Sequence, residues 1–72
     1  MSYKVYGKSN CSYCVKAKNL LEDNSLGYEY IDVGERAGAL AYIKSLGATT
    51  VPQIFCEGEH IGGYEELAEK LK

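Results

Sequence analysis

Two cysteines separated by two residues, Cys11 and Cys14, stand where a short β-prone run gives way to a helical pattern. A sulfur at the start of a helix meets unpaired backbone N–H groups and the positive end of the helix dipole, and both favour its anion. An ordinary thiol titrates near 8.5, so only about 3% of it is thiolate at neutral pH. The helix start, with Lys8 three residues before Cys11, is expected to bring that pKa to neutrality or below. Cys14, one turn further on, is better shielded and suits a resolving thiol. Such a pair attacks a disulfide and then closes on itself, releasing the reduced target. The spacing alone also suits zinc, which uses the same separation.

Short strands and helices alternate around this pair. Tyr3-Lys4-Val5-Tyr6 is a β-prone run stopped by Gly7. Across residues 14–24, Cys14, Ala17, Leu20 and Leu21 follow helical spacing. Residues 28–33 read as a second strand closed by Gly34. Residues 37–46 read as a second helix, with Leu40, Ile43 and Leu46 near one face and Gly47 as its left-handed end. Pro52 pushes Val51 towards extended geometry. A strand then runs over Gln53–Cys56, with Glu57-Gly58 as a tight turn and residues 59–61 as the hairpin partner. Tyr64, Leu67, Ala68 and Leu71 make one apolar stripe on a last helix. The order predicts an α/β chain, its first two strands parallel through a right-handed crossover.

Seventy-two residues are read as a single domain, 1–72, whose small core leaves a thin stability margin. Ten acidic residues against eight basic ones, net charge −2, speak against nucleic acid as a partner. No apolar run approaches a membrane span, and Met1-Ser2-Tyr3-Lys4 lacks the apolar stretch of a secretory signal. The expectation is a cytoplasmic, monomeric protein, where a close cysteine pair means redox chemistry or metal rather than a permanent crosslink. The strongest zinc set is Cys11, Cys14, Cys56 and His60. It is not favoured, because Cys56 and His60 lie across a predicted hairpin. Cys56 is expected as a small buried hydrophobe and His60 as a strand residue without a chemical task.

Three motifs in order carry a resemblance: Cys11-Ser12-Tyr13-Cys14 after the first strand, Thr50-Val51-Pro52 before the third, and Gly62-Gly63 before the last helix. Over residues 3–71 the chain resembles a glutaredoxin of the short bacterial and phage type. The resemblance implies a thioredoxin-like fold, a four-stranded mixed sheet flanked by three helices, with glutathione as co-substrate and no tightly bound cofactor. It makes Cys11 the nucleophile and Cys14 the resolving thiol. It sets Tyr13 beside the glutathione sulfur and Lys8 near its glycine carboxylate. Thr50, Val51 and a cis Pro52 would present the Val51 backbone to the cysteinyl part. Gly63, Tyr64, Glu65 and Glu66 would face the γ-glutamyl end. The targets implied are disulfide-bonded or glutathionylated proteins, ribonucleotide reductase among them.

Two departures from the family pattern stand out. Ser12 replaces the usual proline, as in a minority of members, some of which resemble iron–sulfur cluster binders. Glu65 stands where a polar residue helps bind the γ-glutamyl carboxylate, and would repel it unless turned to solvent. Glu66 replaces an aspartate and keeps a carboxylate for the ligand's amino group. Plainer roles stand beside these: Tyr13 as cover for the first helix, Lys8 as a solvated charge, Gly62-Gly63 as a turn, and Glu65 and Glu66 as helix-start acids. Two further functions remain open, a thioredoxin-like donor recharged by a flavoprotein reductase and an iron–sulfur cluster carrier.

Overall fold

Strand β1 (Tyr3–Gly7) is the hub of the sheet. It pairs in parallel with β2 (Tyr28–Asp32) and antiparallel with β3 (Gln53–Cys56). β3 in turn pairs antiparallel with β4 (Glu59–Gly62), giving the order β2-β1-β3-β4. The structure, a computed structural model, describes residues 2–72. Helix α1 (Ser12–Asp23) makes the crossover between the two parallel strands. Helices α2 (Ala39–Ser45) and α3 (Tyr64–Lys70) complete the thioredoxin-like arrangement of three helices on a four-stranded mixed sheet.

Side chains alternate across a strand, so β1 feeds two layers. Tyr3 and Val5 enter the core with Ala17 and Leu21 of α1, Ile54 of β3 and Leu67 of α3. Burying one such leucine contributes about 1.5–3 kcal/mol. Tyr6 belongs instead to an aromatic layer, its ring 5.6 Å from Tyr42 of α2 and 5.5 Å from Phe55. His60 stacks on Phe55 at 4.8 Å.

Several boundaries differ from the sequence expectation. Helix α1 starts at Ser12, two residues early, because exposed Ser12 and Tyr13 leave no apolar signal in its first turn. Helix α2 is shorter at its start, since Gly38 sits at φ +83°, outside helical space. Only Ala39 and Ile43 of α2 are buried, while Leu40 and Leu46 are 44% and 43% exposed. Gly7 does not stop the first strand but ends it inside the sheet, buried. Gly47 adopts the expected left-handed conformation, φ +85°, after α2. Among the described residues, no helix is long and apolar enough to cross a membrane.

Candidate active site at the start of the first helix

Asn10, at φ +59°, turns the chain from β1 into α1 and leaves Cys11 as the helix N-cap in extended conformation. The Cys14 N–H donates to Cys11 Sγ at 3.2 Å, so a backbone donor at the helix start is aimed at the first sulfur. The Val15 N–H closes the first helical turn onto Cys11 O at 3.1 Å. Cys11 and Cys14 form a disulfide with Cα atoms 5.2 Å apart, within the range a bridge spans without backbone movement. Their exposure differs: Cys11 is partly open to solvent and Cys14 is fully buried. That asymmetry is the one an outer attacking thiol and an inner resolving thiol would require.

The opposite wall is the loop entering β3. The Val51–Pro52 bond is cis, and Val51 O lies 3.9 Å from Cys11 Sγ. Gln53 braces this loop. Its amide nitrogen donates to Thr50 O at 2.8 Å, and its amide oxygen stands 2.7 Å from His60 Nε2 on β4. Sequence reasoning missed Gln53; a polar residue opening a buried strand was the available signal. It also gave Gly7 no role at the site. A Cβ there would lie 3.0 Å from Cys14 Sγ, so Gly7 is the floor beneath the Cys14 sulfur. Tyr30 supports the other side, its hydroxyl donating to Lys8 O at 3.1 Å. Burial, and then the charge of Asp32, push the Tyr30 pKa up.

Two clefts adjoin at Tyr13, Thr50 and Val51, and Cys11 lines the larger. The larger, about 490 Å³, is lined by Lys8, Cys11, Tyr13, Thr50 and Val51 together with residues of α2. The second, about 390 Å³, runs from Tyr13, Thr50, Val51 and Pro52 to Gly63, Tyr64, Glu65 and Glu66. Every expected site residue except buried Cys14 therefore lines one of two clefts that share Tyr13, Thr50 and Val51. The Tyr13 ring lies 5.9 Å from that of Tyr64, with Lys16 Nζ 4.9 Å from its centroid. Glu66 lines the smaller cleft and also takes the helix-start role. Its Oε1 accepts the Gly63 N–H at 2.7 Å, so one carboxylate oxygen caps α3. Gly62, at φ +127°, makes room for it, since a Cβ there would lie 2.8 Å from Glu66 Cγ.

The zinc set is pulled apart by the sheet. Cys56 pairs with Tyr3 at the start of β1, whereas Cys11 lies beyond its end. Four strand steps, roughly 13 Å, separate the two ends. Cys56 is half-buried rather than buried, beside the Tyr3 side chain. His60 is exposed and does have a task, through Gln53.

A sulfur that is reachable and hydrogen-bonded, covering a second that can displace its partner, exchanges one disulfide for another. On this fold that chemistry defines the thioredoxin-like thiol–disulfide oxidoreductases. The sequence pattern of the glutaredoxin family matches residues 4–61. The chain is 42% identical over 66 residues to the hybrid peroxiredoxin hyPrx5 of Haemophilus influenzae, covering 92% of this chain but 27% of that protein. It is 40% identical over 65 residues to glutaredoxin 3 of Escherichia coli, covering 89% of this chain and 78% of that one. Among solved structures, a buckwheat glutaredoxin–glutathione complex matches with TM-score 0.84 at 30% identity, over 96% of this chain and 66% of that one. The chain belongs to the glutaredoxin family.

Proposed function

We propose that this protein is a dithiol glutaredoxin that draws its electrons from glutathione and acts as a cytoplasmic monomer on disulfide-bonded and glutathionylated proteins. The observation that carries this reading is the pair of adjoining clefts beside Cys11, one lined by Lys8 and Cys11, the other by Gly63, Tyr64 and Glu65, with Tyr13, Thr50 and Val51 common to both. A γ-glutamyl tripeptide has an anionic end for Lys8 and a backbone for Val51. The buckwheat complex with glutathione supports the same choice of ligand.

The Cys11 thiolate attacks a protein–glutathione mixed disulfide, forms a Cys11–glutathione disulfide and expels the protein thiolate. A second glutathione thiolate then attacks the glutathione sulfur, giving oxidised glutathione and regenerating the Cys11 thiolate. With a protein disulfide, Cys11 forms a mixed disulfide and Cys14 displaces the target, closing the Cys11–Cys14 bond. Two glutathione molecules reopen it, releasing one oxidised glutathione. The Cys14 N–H aimed at Cys11 Sγ stabilises the thiolate in each cycle.

Accordingly, Cys11→Ser abolishes all turnover. Cys14→Ser spares removal of glutathione from proteins and loses reduction of protein disulfides. Equal losses for both variants in both assays would refute these roles. A second reading, a donor recharged by a flavoprotein reductase, is favoured by Glu65 on the smaller cleft, a poor neighbour for the γ-glutamyl carboxylate. Turnover with glutathione compared with turnover with thioredoxin reductase decides between the two.

A further inference from the structure

The larger cleft continues past Cys11 onto a wall that the glutathione reading leaves unused. Leu40 and Lys44 stand there, one helical turn apart on α2, with Val33 and Ala48 beside them. Leu40 is 44% exposed, an aliphatic side chain held open within the cleft that contains the reactive sulfur. The lining carries two charged side chains, Lys8 and Lys44, and no carboxylate, on a chain whose net charge is −2. Among the described residues the ion pairs join Arg36 to Glu29 and Lys72 to Glu69, and involve neither lysine. The smaller cleft has the opposite character, with Glu65 and Glu66 on its lining.

We propose that the Leu40–Lys44 face of α2 docks the polypeptide of the target. It selects an extended segment whose reactive cysteine is flanked by one aliphatic and one acidic side chain. The inference rests on the thiol–disulfide exchange reading of Cys11 and adds a substrate class to it. An aliphatic side chain loses water against Leu40, and a carboxylate one helical turn along meets the Lys44 ammonium, which the tripeptide leaves free. Charges at such a rim act mainly on encounter, so the preference fades with salt. A tripeptide seated at Lys8, Tyr13, Val51 and Gly63 has nothing to place on this wall, whereas a protein substrate does.

The test uses two peptides, each glutathionylated at a central cysteine. One has leucine and aspartate beside the cysteine; the other has serine and lysine. At low ionic strength the first is expected to be turned over with kcat/KM about tenfold higher. Lys44→Glu removes or inverts that preference, and Leu40→Ser raises KM for the first peptide without changing kcat. Both variants reduce the mixed disulfide of glutathione and mercaptoethanol as the parent does. Equal kcat/KM for the two peptides, or a preference that survives Lys44→Glu, overturns the proposal. With dithiothreitol as reductant the preference is read independently of glutathione. Failure of the glutathione reading therefore shows as lost turnover with glutathione alone, and failure of docking as lost discrimination under both reductants.

Discussion

A methyl group added at Gly7 would lie 2.8 Å from Tyr30 Cζ and 3.0 Å from Cys14 Sγ, and would strike the Tyr30 hydroxyl. The backbone at Gly7 is an ordinary strand; what excludes a side chain is the space taken by Tyr30 and Cys14. Overpacking of this kind costs about 1–3 kcal/mol. Gly7→Ala is expected to lower the unfolding free energy by that amount, read as a lower urea midpoint, and Tyr30→Leu added to it to recover part of the loss. An unchanged midpoint in Gly7→Ala would show that the floor beneath Cys14 yields freely. Gln53 acts at the same scale by a different means. It is buried, yet its amide nitrogen is satisfied by Thr50 O, and its oxygen meets His60. A buried amide left unpaired costs about 1–3 kcal/mol, so the brace holds the loop facing Cys11 in place.

At the scale of elements, α1 is tied to the start of β2 by the Tyr28 hydroxyl, which donates to Glu22 Oε2. That hydrogen bond, then burial and the Glu22 charge, push the Tyr28 pKa from 10.0 up to about 12. The folded-state pKa is raised, so the contact's contribution is complete below the unfolded pKa of 10.0 and is lost as pH rises through about 12. Stability measured by urea unfolding from pH 9 upward should therefore fall more steeply for the parent than for Tyr28→Phe. Parallel curves would mean that the hydroxyl does not link the two elements. The tie matters for function because α1 carries Cys11 at its first turn, and β2 carries Tyr30 beneath the Lys8 loop.

For the molecule as a whole, 72 residues at the usual 0.05–0.15 kcal/mol each imply a total stability of about 4–11 kcal/mol. Leu67 is the one fully buried residue of α3, and it meets α1 and β3 in the core. Truncating a buried leucine to alanine costs about 2–5 kcal/mol. Leu67→Ala is thus expected to remove a large share of the total and to loosen α3, together with the Gly63-to-Glu66 rim of the smaller cleft. Hydrogen exchange should show α3 amides opening ahead of those in β1. Uniform loss of protection across the sheet would instead make α3 part of one cooperative unit with it.

The order of strands and helices was legible along the chain because each element carries its own periodicity, as in the Cys14, Ala17, Leu21 face of α1. Gly47 was legible from its place after an apolar run, and Cys11 from its place before one. Proximity in the fold could not be read this way. Leu40 matches Ile43 in hydrophobicity, but Ile43 meets a neighbour and Leu40 faces an open cleft. Glu66 turns to the Gly63 backbone because Gly62 leaves it room, and Gly7 matters because Tyr30 and Cys14 arrive from other elements. Local patterns report which face of an element is apolar; which atoms come to occupy the space beside it depends on packing between segments distant in the chain.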